Sequence, residues 1–170
     1  PRLTWNTIDQ IEAAGGTPIV CRTGHTFFKK VMRDNDAIYG GEMSAHHYFK
    51  DFAYCDTGML PWLAIVAEIC QSGISLKEMV AARIEKFPCS GEINFTVDDA
   101  PTTIKKLQDE LASKANEVED IDGLGMVFDE WRCNIRASNT EPLLRLNLET
   151  RGNKPLLAEK TALLSNLIRG

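Results

Sequence analysis

The chain has no Cys-x-x-Cys pair, no run of Lys and Arg, no internal repeat, no low-complexity tract and no long apolar stretch. Each absence removes a class of function. Its five cysteines (Cys21, Cys55, Cys70, Cys89 and Cys133) are scattered and odd in number. That excludes a disulfide frame and a zinc knuckle, and it points to reduced thiols in a cytoplasmic setting. A net charge of −5 without a basic run speaks against a nucleic-acid partner. The longest apolar stretch, Met59 to Cys70, contains Pro61 and Glu68 and is too short to span a bilayer, so no membrane partner is expected. The aromatic stretch Tyr48 to Tyr54 lacks the basic groove of a base-stacking platform and reads as packing. What remains is ordinary: 44% hydrophobic and 25% charged residues describe a folded domain rather than a disordered one.

The chain's periodicity predicts two domains. Leu3 to Ala14 has helical spacing and ends at Gly15-Gly16. Thr17 to Cys21 reads as a short strand, Gly24 to Arg33 as a helix, and Asp34 to Gly40 as a return to a strand through Ala37-Ile38-Tyr39. Two helices follow. Asp56 to Ser72 draws its apolar side from Leu60, Leu63, Ala64, Ala67 and Ile69, and Ser75 to Lys86 opens on a capping box of Ser75 and Glu78. Phe87-Pro88 breaks the pattern and sets the boundary, giving domains 1–87 and 88–170. Beyond it, Gly91 to Val97 reads as a strand, Ala100 to Ala115 as a helix with Pro101 in its first turn, Gly125 to Ile135 as strand, turn, strand, and Pro155 to Ile168 as a last helix. Leu143 to Thr150 alternates apolar and polar residues, so Leu144, Leu146 and Leu148 share one face. The predicted fold is a partial α/β layer followed by a small α+β domain with a four-stranded sheet and two helices.

Two loops carry the chemistry. Arg136-Ala-Ser-Asn-Thr-Glu-Pro142 puts one guanidinium, two hydroxyls and a carboxamide into five positions, a donor set suited to a phosphate dianion. The same residue types also make ordinary hairpin turns, and both readings stand at this point. Gly40-Gly41-Glu42-Met43-Ser44-Ala45-His46 offers a carboxylate beside a hydroxyl, as adjacent sugar hydroxyls require, and a histidine that can donate or accept a hydrogen bond.

Together with Arg22-Thr23-Gly24-His25, these loops resemble those of the α-D-phosphohexomutase family, most closely its bacterial phosphomannomutases. The resemblance implies that Glu42 and Ser44 bind sugar hydroxyls, and that Arg136, Ser138, Asn139 and Thr140 bind phosphate. It places His25 and His46 in the cleft, where one can take a proton from the reacting hydroxyl. Arg2 and Arg22 would add positive charge near the substrate. Arg22 stands where the family has Lys, so only an electrostatic role carries over. The implied activity is the interconversion of mannose 6-phosphate and mannose 1-phosphate through a phosphoserine and a bisphosphorylated hexose. A phosphoglucomutase, a dual-specificity mutase or a non-catalytic sugar-phosphate module is the alternative. The family's serine loop and Asp-rich magnesium loop have no counterpart here: no Asp-x-Asp-x-Asp occurs, and Asp51 and Asp56 are a weak metal signal. The expectation is therefore a C-terminal portion, inactive alone. Mg2+ would be held by ligands outside this chain, and the rest of the mutase chain would be its partner.

Overall fold

A computed structural model describes residues 2–138 and 141–170. The chain forms two compact units, Val20–Ala82 and a second made of Pro1–Ile19 with Arg83–Gly170. The described residues form helices and two antiparallel sheets of three and five strands.

In the smaller unit, α2 (His25–Asp34) precedes a sheet of β1 (Tyr39–Gly41), β2 (His47–Phe49) and β3 (Cys55–Asp56), followed by α3 (Met59–Ser72) and most of α4 (Leu76–Lys86). Its core is small. Tyr48 on β2 is fully buried and stacks on Phe28 of α2, with ring centroids 5.2 Å apart and planes inclined by 15°. Gly40 permits that packing: a Cβ there would stand 2.9 Å from Met32 Sδ and 3.0 Å from Phe28 Cδ1. The capping box at α4 forms as its spacing predicts. Ser75 N–H donates to Glu78 Oε2 at 3.0 Å, and Glu78 N–H to Ser75 Oγ at 3.3 Å.

The larger unit is a single antiparallel sheet in the order β4 (Ile93–Thr96), β8 (Leu143–Thr150), β7 (Trp131–Ala137), β6 (Leu124–Val127), β5 (Glu117–Glu119). Leu144, Leu146 and Leu148 are fully buried on one face, opposite Ile135 and Cys133, where α5 (Ala100–Leu111) and α6 (Lys154–Arg169) supply Leu107, Leu111, Leu164 and Ile168. Each such leucine contributes about 1.5–3 kcal/mol by leaving water. Both helices are capped by side chains: Asp99 accepts from Thr102 N–H at 3.2 Å, and Asn153 from Leu156 N–H at 3.0 Å.

The other face of that sheet is polar yet buried. Arg132 and Glu149, cross-strand neighbours, are 1% and 2% exposed. Arg132 Nη1 lies 3.0 Å from Glu149 Oε1, and Arg132 Nη2 3.3 Å from Glu119 Oε2. Glu149 Oε1 also accepts from Thr4 N–H at 2.7 Å and Trp5 N–H at 3.3 Å, where α1 (Trp5–Ala13) begins. A carboxylate at a helix N-terminus meets both orphan N–H groups and the positive end of the dipole. This network fixes α1 to the five-stranded sheet.

Three expectations change. Thr17 to Cys21 is not a strand, because among the described residues nothing runs beside it to take its backbone hydrogen bonds. The expected strand of 34–40 shortens to Tyr39–Gly41, since Asp36 turns through a left-handed conformation (φ 51°). The larger sheet has five strands rather than four. The added one, Glu117–Glu119, is a short edge strand too acidic to announce itself.

Candidate functional site

The sequence predicts two clusters, and their described residues fall one group in each unit. In the smaller unit, residues 42–46 close a tight turn. Glu42 N–H donates to His46 C=O at 2.9 Å, and Ala45 N–H donates to Glu42 C=O at 3.0 Å, with Ala45 at φ 63°. This turn joins β1 to β2, and both carboxylate oxygens of Glu42 are fixed by neighbours. Tyr48 Oη donates to Oε1 at 2.5 Å, and Gly24 N–H donates to Oε2 at 3.1 Å. Glu42 therefore ties the turn to the start of α2. A carboxylate oxygen has a second lone pair, so each can still accept from a ligand hydroxyl. Burial, then the hydrogen bond to Glu42, pushes the Tyr48 phenol far up, so it stays a donor. Ser44 is exposed on the same turn.

His46 sits at the end of that turn, its Nδ1 2.7 Å from Asp56 Oδ2. Asp56 Oδ1 accepts His47 N–H at 2.8 Å. These bonds, the His46 ring first, hold the Asp56 carboxyl below its ordinary pKa. An ionised Asp56 accepts Nδ1–H and leaves Nε2 of a neutral ring as the free acceptor. His25, the first residue of α2, packs edge-on against His46 at 4.5 Å between centroids and against Tyr48 at 5.2 Å. Arg22 is exposed, its guanidinium 5.0 Å above the Phe27 ring. Ligand atoms of His25, His46 and Asp56 lie within 4.8 Å of one another. Two imidazoles and one carboxylate suit a transition metal, not the all-oxygen shell of Mg2+.

Asp56 is the residue that sequence reading undervalued. Ten positions separate it from His46, and only the antiparallel pairing of β2 with β3 brings them together. Its spacing from Asp51 drew attention to metal, whereas its partner is an imidazole.

In the larger unit, Arg136 is the last residue but one of β7, and Arg145 lies directly across from it on β8. The hairpin between them is narrowed by Ser138 N–H donating to Leu143 C=O at 2.8 Å. Asn139 and Thr140, also expected to bind phosphate, lie outside the described residues. Arg2 joins this cluster. Arg2 Nη1 and Arg136 Nη2 stand 3.3 and 3.6 Å from Glu92 Oε2, and Arg145 Nη1 stands 3.4 Å from Glu92 Oε1. Three guanidiniums thus share one carboxylate, with Glu141 3.8 Å from Arg145 at the rim. Neither Arg145 nor Glu92 was singled out from sequence. The alternation of β8 assigns Arg145 to the polar face, but not to this partner.

Comparison with known proteins gives one answer along the whole chain. Residues 1–87 match the family model "Phosphoglucomutase/phosphomannomutase, alpha/beta/alpha domain III", and residues 92–162 match the model of the C-terminal domain of the same family. A protein named "Phosphohexose mutases" from Xanthomonas campestris pv. campestris (strain B100) is 55% identical over 170 residues, which are 100% of this chain and 38% of that protein. The "Phosphomannomutase" of Escherichia coli (strain K12) is 50% identical over 168 residues, 99% of this chain and 37% of its own length. The chain thus spans under two fifths of the length of these relatives. The crystal structure of a phosphoglucomutase/phosphomannomutase family protein from Burkholderia thailandensis superimposes with a TM-score of 0.75 at 24% identity, covering 97% of this chain and 35% of that one. That likeness speaks for the fold, and the sequence matches speak for descent: the chain belongs to the phosphoglucomutase/phosphomannomutase family.

Proposed function

We propose that this chain supplies the sugar- and phosphate-recognition parts of a phosphomannomutase that interconverts mannose 6-phosphate and mannose 1-phosphate. The observation that carries the reading is the 42–46 turn, which gathers Glu42, His46 and His25 around Tyr48 with His46 oriented by Asp56. Relatives named phosphomannomutase at 50–52% identity support mannose as the sugar.

In this reading Glu42 and Ser44 accept and donate hydrogen bonds to ring hydroxyls, and the Arg136 hairpin with Ser138, Asn139 and Thr140 grips the phosphate that is not being transferred. Binding energy from that remote phosphate positions the reacting hydroxyl. His46 removes the hydroxyl proton at Nε2, and Asp56 stabilises the imidazolium that results. His25 and Arg22 add donors for the transferring group. The phosphoserine that gives and receives the phosphoryl group, the bisphosphorylated hexose between the two half-reactions, and the rest of the mutase chain complete the scheme. Mg2+ would stabilise the transferring phosphoryl, but the described residues offer no oxygen shell that fits it, and no step here runs through it. A cytoplasmic setting is in keeping with this chemistry.

The test is an NMR titration of the full chain with mannose 1-phosphate, repeated on Arg136→Ala. Saturable shifts at 136–145 are expected, lost in the variant, with further shifts at Glu42 and Ser44 if the sugar site is shared. Unchanged binding by Arg136→Ala would sink the phosphate assignment.

A further inference from the structure

We propose that His25, His46 and Asp56 form a binding site for a divalent transition-metal ion of the zinc class, and that an ion held there switches off His46 as a proton acceptor. The second half rests on the mutase reading above; the first half does not.

The ligand set is the first observation. One atom from each of the three side chains falls within 4.8 Å of the others. A tetrahedral zinc ion holds nitrogen and oxygen ligands at about 2.0–2.2 Å, which puts any two of them roughly 3.4 Å apart. His46 Nδ1 and Asp56 Oδ2 already stand at 2.7 Å, and His25 is exposed, so its ring can turn toward them. Two imidazoles with one carboxylate are the donor types that such ions select, and three protein ligands leave a fourth position for water.

The second observation is how the donors are held. They come from three places in the chain: the first residue of α2, the end of the 42–46 turn, and β3. Each place is tied to the next. Gly24 N–H donates to Glu42 Oε2 at 3.1 Å, which joins the start of α2 to the turn. His47 N–H donates to Asp56 Oδ1 at 2.8 Å, which joins the turn to β3 and leaves Oδ2 on the His46 side. The two imidazoles pack with centroids 4.5 Å apart and planes crossed at 69°. An ion entering this set therefore has little chain to organise. The third observation is charge. Glu42 accepts from the Tyr48 phenol that His25 packs against, and so brings a second carboxylate beside the set.

The consequence for His46 follows from imidazole chemistry. A neutral ring has one nitrogen with a free lone pair and one that bears hydrogen. Metal ligation uses the lone pair, whichever nitrogen binds. The other nitrogen then carries the hydrogen and can only donate. An ion on His46 thus excludes the proton removal proposed for it. This control is separate from Mg2+, whose all-oxygen shell these three residues do not offer.

The test combines isothermal titration of the full chain with Zn2+, absorption spectra with Co2+ as a spectroscopic stand-in, and NMR spectra of the histidine ring nitrogens. The variants are His25→Ala, His46→Ala and Asp56→Ala, with His47→Gln as the control, and a two-dimensional NMR spectrum of each confirms the fold. A single Zn2+ per chain is expected to shift the ring nitrogens of His25 and His46 but not those of His47, whose ring is engaged by Tyr39. Each of the three alanine variants is expected to weaken Zn2+ by more than about 100-fold, beyond the loss typical of a partner that only orients a ligand. His47→Gln is expected to bind as the parent does. Co2+ is expected to show no thiolate charge-transfer band. If Zn2+ leaves the His25 and His46 rings unshifted, or if Co2+ gives a thiolate band that Cys55→Ser removes, the ion sits elsewhere and the proposal fails. If Asp56→Ala binds within about 10-fold of the parent, the carboxylate is not a ligand and the three-residue site fails. In the loaded chain the unligated His46 nitrogen is expected to carry hydrogen, and a bare nitrogen there overturns the switching half. Failure of the mannose 1-phosphate titration would remove the mutase reading and leave the metal result standing, so the two fail separately.

Discussion

A side chain's partners can reverse the meaning of its type, and Arg132 and Glu149 are the clearest case. In β7 and β8 they fall on the polar beat of an alternating pattern, which sequence reading assigns to solvent. They are buried because the start of α1 covers that beat, with Thr4 and Trp5 donating to Glu149. No local signal in 131–150 reports a helix more than a hundred residues earlier. Replacing a buried ion pair by apolar groups is often harmless, but removing one partner strands the other. Glu149→Ala removes the nearest carboxylate of Arg132 and the acceptor of the Thr4 and Trp5 N–H groups at the start of α1. The expected cost is about 3–5 kcal/mol. Urea unfolding followed by circular dichroism measures it, and hydrogen exchange should show α1 losing protection ahead of the strands. Glu149→Gln, which keeps the acceptor without the charge, is expected to cost less. A variant midpoint equal to the parent's would mean that the network is not a source of stability.

Elements were most legible where periodicity and capping agree. The capping box of α4, Pro101 in the first turn of α5 and the Leu144-Leu146-Leu148 face all form as their spacing dictates. Elements of two or three residues were not, since β3 and β5 are too short for any period to register. The hairpin that presents Arg136 depends on a further position that sequence reading passed over. Gly123 adopts φ 82°, and a Cβ there would stand 2.5 Å from Ile135 C=O, 2.7 Å from Arg136 Cβ and 2.9 Å from Arg136 Cα. Those atoms are mostly backbone, so the strand itself must yield. Gly123→Ala is therefore expected to destabilise by about 2 kcal/mol or more, adding left-handed strain to the displaced strand. Its particular signature is at the site: the variant's affinity for mannose 1-phosphate falls although no ligand-facing side chain has changed. An alanine variant with native stability and native affinity would show that β7 is not held where Gly123 permits.

At the scale of the whole molecule, the site was legible as two loops because chemistry concentrates rare residue combinations there, whereas Asp56, Glu92 and Arg145 emerge only from strand pairing. The apolar residues tell a different story. Leu60 and Leu63 have the helical spacing of a core-facing stripe, and in the folded chain α3 nonetheless contains no buried residue. Met59, Trp62 and Leu63 are 63%, 56% and 50% exposed, and on α4 Val80 and Ile84 are 47% and 58% exposed. Hydrophobic spacing reports that a side chain has a partner to meet, not that the partner is within reach. No single helix among the described residues is long and apolar enough to cross a membrane. A stripe of this kind left in water binds amphiphilic dyes and promotes association. Two of the three tryptophans, Trp5 and Trp131, are buried, which makes Trp62 the natural reporter. Native chain should bind 8-anilinonaphthalene-1-sulfonate, with energy transfer from Trp62, and Trp62→Gln with Leu63→Gln should abolish most of that binding without lowering the urea midpoint, because neither side chain packs in a core. Absence of dye binding by the native chain would show that α3 is covered in solution, and a lower midpoint in the double variant would show that these side chains pack after all.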